Sequence, residues 1–324
     1  MPSAAPRRHL LYHAAMTRSS RSALRAAGLS RLCHVGALAL FASLNACIVQ
    51  AAMAQSACPT VGLEHVAMVS VDERLEIALT DGRLLRVAGI EPVRPTPDNP
   101  DFATAARDAL QKALTGGLDI IPLAGPDRWG RIPVFAFLPT PAPKAPASKA
   151  PAPSLATWLL AQGYGRFMPE PAASACQQNF LAIEASARTA QRGLWHDPYY
   201  AVIAATDRRA FVEKTATNVI VEGQIIDVDA RPKRLYLLFG PRHSGGFAVT
   251  IMQRAVKIFD RAGFDFHALI GRRIRIRGLL DLRFGPQIEV SEPGAIEIVS
   301  QPETLPGVGQ HVEAKAADLS EKPQ

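Results

Sequence analysis

The sequence predicts a mainly β protein with some helices, an α+β fold built in two successive parts. Three observations carry this prediction. Apolar and polar residues alternate in short runs, as over residues 75–79, and the Asp81-Gly82 pair that follows is typical of a hairpin turn. Helical patterns with start and stop signals interrupt these runs in the first part. Beyond residue 195 the pattern changes to short strand-like runs around a single helix, which indicates a second sheet.

The positive charge is concentrated at the N-terminus. The 324 residues carry a formal net charge of +7, but residues 1–54 hold six arginines and no acid, and the other 30 basic residues face 29 acidic ones. A basic stretch precedes the apolar run Val35–Val49 and an Ala-Met-Ala sequence ending at Ala54, as in a secretory signal. We therefore expect a signal peptide over residues 1–54, starting at Met1 or Met16, and a periplasmic or secreted mature protein.

Two alternatives stay open for this segment. The apolar run could be a single membrane anchor, although it is short for that. Cys47 could carry a lipid, although Asn45 fits that signal poorly. Elsewhere the chain has no unbroken apolar run of 18 residues, so a polytopic membrane protein is excluded.

Signal removal would leave Cys58 and Cys176 as the two cysteines of an exported protein. In an oxidising compartment, two cysteines predict one disulfide bond, which here would close a loop of more than a hundred residues. Two free thiols are the alternative. Histidines are scattered and no CxxC pair exists, so we expect no zinc site.

In the first part, strands are predicted over residues 66–79, 84–90, 118–123 and 132–138. A helix should begin at Asn99-Pro100-Asp101 and stop at Gly116-Gly117, and further helices should cover 155–162 and 175–192. Residues 139–153 form a Pro/Ala tract that we interpret as an exposed insertion, with a domain linker as the alternative.

In the second part, five short strands are predicted over residues 219–228, 234–239, 247–252, 273–280 and 287–289, with a helix over 253–262. Five strands around one helix favour a small closed barrel such as the OB-fold. We place this domain at residues 212–299 and expect residues 300–324 to be a disordered tail.

Three strings in the first part together resemble the thermonuclease (staphylococcal-nuclease-like) family over residues 61–196. They are residues 79–91 (LTDGRLLRVAGIE), residues 127–131 (DRWGR) and residues 184–188 with 193–195 (EASAR and GLW). The resemblance implies an OB-type barrel of five strands with three helices, followed here by the second OB-like barrel. It also implies calcium-dependent hydrolysis of DNA and RNA phosphodiester bonds.

The resemblance assigns roles to three residues. Arg86 matches the first phosphate-binding arginine, Arg131 matches the catalytic arginine, and Glu91 matches an aspartate that ligates calcium. Arginines would neutralise charge on the phosphoryl group, and carboxylates would hold a hard cation. The alternative role for Arg86 and Arg131 is structural pairing, for example with Glu91 or Asp127.

Two matched positions have lost the expected chemistry. Apolar Leu75 stands where a calcium-binding aspartate is expected, and Arg94 stands where the family has the glutamate presumed to be the base. A shift of register could offer Asp72, Glu73 or Glu76 instead, but it would turn the apolar face of the strand outward. We therefore expect a catalytically degenerate domain, with calcium binding weak or absent.

The second part supplies another candidate surface. Arg273, Arg275 and Arg277 alternate with isoleucines on one predicted strand, so they should share a face that could hold phosphate or another anion. The alternative is a solvated face balanced by Asp227, Asp229 and Glu289. Trp129, Trp158 and Trp195 are expected to pack in the core or at a rim rather than stack on bases.

Three functions remain open from the sequence. The favoured one is an exported protein that binds nucleic acid or another polyanion without cleaving it. The others are an active calcium-dependent nuclease and an envelope module that binds proteins. The nearly neutral mature chain weakens the nucleic-acid hypothesis, because strong non-specific binders carry excess positive charge.

Overall fold

The computed structural model of the protein describes residues 58–139, 154–241 and 245–299. The expected signal peptide over residues 1–54, Cys47, nearly all of the Pro/Ala tract at 139–153 and the tail at 300–324 lie outside the described residues. The described residues belong to one compact unit. Within it, two hydrophobic cores divide the described residues into an N-terminal module (residues 58–200) and a C-terminal module (residues 203–299).

The N-terminal module is a curled six-stranded sheet with helices packed against it. The sheet order is β1-β6-β7-β4-β3-β2, and a separate pair is formed by β5 and β8. The strands are β1 (Glu64–Val66), β2 (Met68–Val71), β3 (Ile77–Leu79), β4 (Leu84–Val87), β5 (Ile90–Pro92), β6 (Leu118–Pro122), β7 (Arg131–Phe137) and β8 (Gly165–Phe167). The helices are α1 (Phe102–Ala113), α2 (Leu155–Gln162) and α3 (Gln177–Thr189).

The C-terminal module is a second sheet of eight strands. Its order is β11-β12-β13-β15-β14-β10-β9, with β16 also paired to β14. The strands are β9 (Ile203–Ala204), β10 (Asn218–Gln224), β11 (Asp227–Ala230), β12 (Arg234–Leu238), β13 (Ala248–Met252), β14 (Arg273–Asp281), β15 (Gln287–Glu289) and β16 (Ile296–Ile298). Its helices are α4 (Arg208–Glu213) and α5 (Gln253–Arg261).

The mixed α+β class predicted from the sequence is confirmed, and the structure is compatible with an OB-like barrel plus helices. Local chemistry explains the elements that match. The Asp81-Gly82 turn joins antiparallel β3 and β4, with Gly82 at a φ of +85°. Ser154 caps α2 by accepting from the Thr157 N–H, and Gly163 ends it at a φ of +69°.

The prediction of one continuous strand over residues 66–79 is wrong. The chain forms β1, β2 and β3, with a tight turn over Asp72–Glu76 between β2 and β3. One carboxylate oxygen of Asp72 accepts from the N–H groups of Arg74 and Glu76 at 2.9 and 2.8 Å. Such aspartate turns compete with strand structure, which explains the break. The predicted 219–228 strand is likewise split into β10 and β11, and β9, α4 and β16 were not predicted.

The disulfide predicted from the cysteine count is confirmed, since Cys58 is bonded to Cys176 across 118 residues. Cys176 ends a short 3₁₀ helix, Pro171–Cys176, that leads directly into α3. The bond therefore ties the start of the described chain to the helical layer of the N-terminal module.

The two modules share strand β10. Val219 and Val221 belong to the core of the C-terminal module, whereas Ile220, between them, belongs to the core of the N-terminal module. Because successive side chains of a strand point to opposite faces, β10 is buried on both sides. The C-terminal module is thus packed onto the N-terminal one.

Candidate functional site

A cleft of about 1220 Å³ opens on the N-terminal module beside strands β4 and β7. Five arginines and five carboxylates line it, so it has no large excess of either charge. The arginines are Arg74, Arg86, Arg94, Arg107 and Arg131, and the acids are Asp72, Glu73, Glu76, Glu91 and Asp127. The residues that the family resemblance singled out in the N-terminal module are therefore gathered here.

Strand register explains why Arg86 and Arg131 meet at the cleft. Strands β4 and β7 are parallel, and Leu84 lies beside Arg131 while Arg86 lies beside Pro133. Arg86 is two residues beyond Leu84, so both arginines lie on the same face of the sheet. The opposite face of β4 carries Leu85 and Val87, which are buried in the core.

Arg131 is held by two carboxylates. Its Nε donates to Asp127 at 2.9 Å, and its Nη1 donates to Glu76 at 2.8 Å. Asp127 also organises the turn before β7, accepting from the N–H groups of Trp129 and Arg131. Burial disfavours the charged form of Asp127, but the hydrogen bonds and positive charge of Arg131 outweigh it and lower the Asp127 pKa to about 2. The structural pairing of Arg131 with Asp127 is thus present.

Arg86 is paired with a residue that the sequence did not single out. Its two terminal nitrogens donate to the two carboxylate oxygens of Glu170, at 2.9 and 2.7 Å. Glu170 also accepts from the Gly89 N–H at 2.6 Å. Gly89 has a φ of +77°, and a Cβ there would lie 2.8 Å from that of Ala173, so the close approach requires glycine. The suggested pairing of Arg86 with Glu91 is wrong.

Leu75 is a core residue in a turn, not a member of a strand. It is only 2% exposed and adopts a φ of +57°. A left-handed conformation costs a non-glycine residue roughly 1–2 kcal/mol, which burial of the leucine side chain offsets. The alternation argument for Leu75 was therefore wrong in its geometry, although the side chain does point into the core.

The carboxylates near Leu75 are already engaged by the protein. Asp72 caps its own turn, Glu73 accepts from the Thr104 hydroxyl at 2.8 Å, and Glu76 is bonded to Arg131. In the described part of the chain, no group of three or more Asp, Glu, His or Cys side chains is arranged to hold a metal ion. Calcium prefers six to eight oxygen ligands, so this arginine-paired donor set does not fit it.

Glu91 faces the boundary between the modules. One carboxylate oxygen accepts from Arg166 at 2.9 Å, and the other accepts from the side-chain amide of Asn218 at 2.8 Å. Arg166 lies directly opposite Glu91 in the β5–β8 pair. Arg94, at the position of the family's presumed base, is exposed, and its Nη2 lies 3.5 Å from Glu91.

The predicted row of exposed arginines on β14 is wrong for two of its three members. Arg275 and Arg277 are only 4% and 5% exposed, because this face of β14 packs between the modules. Arg273 and Arg275 donate to buried Glu222, and Arg277 binds Glu184 and Glu297. The alternative balance by Asp227, Asp229 and Glu289 is also wrong, since the carboxylate partners come from β10, α3 and β16.

The three tryptophans occupy different environments. Trp195 is buried and Trp158 is partly buried, as expected for packing residues. Trp129 is 59% exposed and lines the cleft. The guanidinium groups of Arg128 and Arg131 lie 3.9 and 4.6 Å from its ring centroid, within the range of cation–π contacts. Trp129 is therefore the aromatic residue of the cleft.

The residues that sequence reasoning missed are Glu170, Arg166, Asn218 and Glu184. Three of them bind partners 75 to 127 residues away, and no local pattern indicates such pairs. Glu184 did carry a signal. It is spaced four residues from Arg188 on the face of α3 that also carries buried Phe180 and Ala187, so a buried ion pair could have been predicted.

No protein-family model matches the chain, and no curated protein matches it significantly. No helix in the described ranges has the length and apolar character needed to cross a membrane.

Proposed function

We propose that this protein is an exported, thermonuclease-like protein that binds single-stranded nucleic acid in the cleft without metal-dependent hydrolysis. The observation that carries the proposal is the combination, in one cleft, of Arg86 and Arg131 on the same sheet face with the exposed ring of Trp129. Single-strand binding uses cationic groups along the backbone and aromatic rings against the bases.

Binding is favoured over catalysis by the charges around the arginines. Buried Leu75 stands at the position of the family's calcium-binding aspartate, and Arg94 stands at that of its presumed base. Glu76 and Asp127 are both bonded to Arg131. Loss of a base alone typically costs orders of magnitude in rate. Export is supported by the disulfide between Cys58 and Cys176, because such bonds persist in oxidising compartments.

The carboxylate partners also limit affinity. A phosphate must compete with Asp127 for Arg131 and with Glu170 for Arg86, so binding should be modest and strongly weakened by salt. The ring of Trp129 is 59% exposed, but the guanidinium groups of Arg128 and Arg131 already lie 3.9 and 4.6 Å from its centroid, so a base must stack beside them or displace one of them.

The test is titration of fluorescein-labelled (dT)15 and (rU)15 with the protein at several salt concentrations. Trp129→Ala should weaken binding about 5- to 150-fold, the value of one base stacked on an aromatic ring. The matched control is Phe284→Ala, which removes an 84% exposed aromatic ring that does not line the cleft. The control should bind as the wild type does.

Hydrolysis of the same oligonucleotides is followed with calcium and with chelator. Calcium-dependent cleavage that Arg131→Ala abolishes would replace the proposal with an active nuclease. An affinity that does not change with salt concentration, or that is the same in Trp129→Ala as in the wild type, would contradict the proposal. So would no binding at high protein concentration, and each of these results would favour the protein-binding alternative.

A further inference from the structure

We propose that Asn218 of the C-terminal module keeps Arg94 available for a phosphate by occupying the carboxylate oxygen that would otherwise pair with it. The inference rests on the proposed function of the cleft, and it makes the C-terminal module part of the binding site. Asn218 is a positioning residue in this scheme, because it acts through Glu91 and Arg94.

Two donors compete for one oxygen. The side-chain amide of Asn218 donates to Oε1 of Glu91 at 2.8 Å, whereas Nη2 of Arg94 lies 3.5 Å from the same Oε1. An N–H···O distance of 3.5 Å is beyond an ordinary hydrogen bond. Asn218 therefore holds the bond that Arg94 could make with only a small movement.

The second carboxylate oxygen of Glu91 is also hydrogen-bonded, so the carboxylate cannot rotate away from Asn218 and Arg94. Oε2 accepts from Nη2 of Arg166 at 2.9 Å, and the same nitrogen donates to the backbone carbonyl of Asn218 at 3.0 Å. Glu91, Arg166 and Asn218 thus form a closed triangle across the module boundary, with the Glu91 and Arg166 side chains largely buried. Arg94 stands outside it, with 60% of its side chain exposed.

The module boundary is held firmly enough to keep Asn218 in place. Asn218 begins β10, which pairs along its whole length with β14. From β14, Arg277 donates to the Phe167 carbonyl at 3.2 Å and to Glu184 at 3.1 Å, both in the N-terminal module. Phe167 follows Arg166 in β8, so two contacts with the C-terminal module hold this strand: Arg277 donates to the Phe167 carbonyl, and Arg166 donates to the Asn218 carbonyl.

The hydrogen bond from Asn218 to Glu91 affects how available the positive charge of Arg94 is in the cleft. With Oε1 of Glu91 hydrogen-bonded to a neutral amide, the Arg94 guanidinium makes only a loose 3.5 Å ion pair with it and stays available to an anion in the cleft, which Arg94 and Glu91 both line. Without the amide, Arg94 can shorten its existing 3.5 Å ion pair with Oε1 into a direct hydrogen bond, which an incoming phosphate must then break. The C-terminal module therefore raises the affinity of the cleft for anions through Asn218, which also lines the cleft.

The experiment measures (dT)15 affinity and its salt dependence for Asn218→Ala, Arg94→Ala and the double variant. Asn218→Ala should bind about 1.4- to 5-fold more weakly, the value of one exposed ion pair. Its log–log salt slope should fall by about 0.7, since one phosphate contact is lost. In the Arg94→Ala background, Asn218→Ala should have no further effect. A purely structural role for Asn218 would leave the salt slope unchanged.

The matched control is Gln224→Ala, at the far end of β10, where another side-chain amide donates to a backbone carbonyl at 2.9 Å. It should leave affinity and slope unchanged. If Asn218→Ala does not fold, Asn218→Ser is measured instead, because its hydroxyl is too short to reach Glu91.

The outcomes separate the two proposals. If the wild type does not bind (dT)15, the proposed function fails. If the wild type binds and depends on Trp129 while Asn218→Ala and Asn218→Ser keep wild-type affinity and slope, only the role of Asn218 is overturned. An equal loss from Asn218→Ala with and without Arg94 would overturn it as well.

Discussion

Arg277 offers the sharpest test of how the modules are joined. Its guanidinium lies between two glutamates, with Nη2 2.9 Å from Oε1 of Glu184 and 3.2 Å from Oε2 of Glu297, and Nη1 donates to the Phe167 carbonyl. Glu184 is fully buried. Arg277→Met keeps the apolar stem and removes the charge. Among the described residues, this leaves the Glu184 carboxylate with Arg188, 3.4 Å away, and the Phe167 N–H.

The expected magnitude follows from this burial. Removing one partner of a buried ion pair typically costs 3–5 kcal/mol, because the other charge stays desolvated. With a urea m-value of about 3 kcal/mol/M for a unit of this size, the midpoint of unfolding should fall by about 1–2 M. The double variant Glu184→Gln, Arg277→Met removes the stranded charge and should recover most of the loss.

The effect should depend on pH in a defined direction. Burial opposes the charged form of Glu184, but attraction to Arg277 and hydrogen bonds from Arg277 and Phe167 outweigh it, so its pKa lies below the usual value. A lowered pKa gives stability that is present above the unfolded pKa, near 4.3, and lost as pH falls through the folded one. In Arg277→Met the pKa should rise instead, so the gap between variant and wild type should narrow from pH 7 to pH 4.

The assay is urea unfolding followed by circular dichroism at both pH values, with Arg283→Met as the control for an exposed arginine of the same strand region. An unchanged midpoint for Arg277→Met would refute the reasoning. So would a double variant no more stable than Arg277→Met alone, since the cost would then not come from the stranded carboxylate.

Three further predictions concern the N-terminal module. Replacing Cys58 and Cys176 by serine should lower the free energy of unfolding by about 3–5 kcal/mol, and reductant should then destabilise only the wild type in thermal melts. Asp127→Asn should leave Glu76 as the charged partner of Arg131 among the described residues and steepen the salt dependence of (dT)15 binding by at most about 0.7 in log–log slope. In the wild type, Asp127 should stay charged until pH falls towards its pKa of about 2, which carboxyl NMR titration checks. Leu75→Asp puts a carboxylate into the core, so it should lower the free energy of unfolding, measured with urea, by at least about 2 kcal/mol. It should restore no calcium-dependent cleavage. A stable, calcium-activated variant would contradict this prediction.

Elements defined by neighbouring residues were predictable. The hairpin at Asp81-Gly82 needs only a residue pair that tolerates positive φ, and α2 needs only the Ser154 cap and Gly163 stop on either side of an apolar run. The turn at Asp72 was missed because an alternating pattern continues on both sides of it, and side-chain capping by one aspartate overrode that pattern.

In the candidate site, too, contacts between residues close in sequence were predictable, and contacts between distant residues were not. Arg131 and Asp127 are four residues apart, so their pairing follows from a local turn. Arg86 and Glu170 are 84 residues apart, and Glu91 and Asn218 are 127 apart, so those pairings exist only because the sheet and the module boundary bring distant segments together.

The sequence by itself determined the α+β class, the disulfide between Cys58 and Cys176, and which arginines and carboxylates are available to form ion pairs. Only the tertiary structure decided which of those charges face solvent. Alternation on β14 correctly placed Arg275 and Arg277 on one face, but periodicity reports only that a strand has two faces and not what covers each of them. Here α3 supplies Glu184 to the face that carries these arginines, and β16, paired beside β14, supplies Glu297, so residues expected to bind an external anion bind these two glutamates instead.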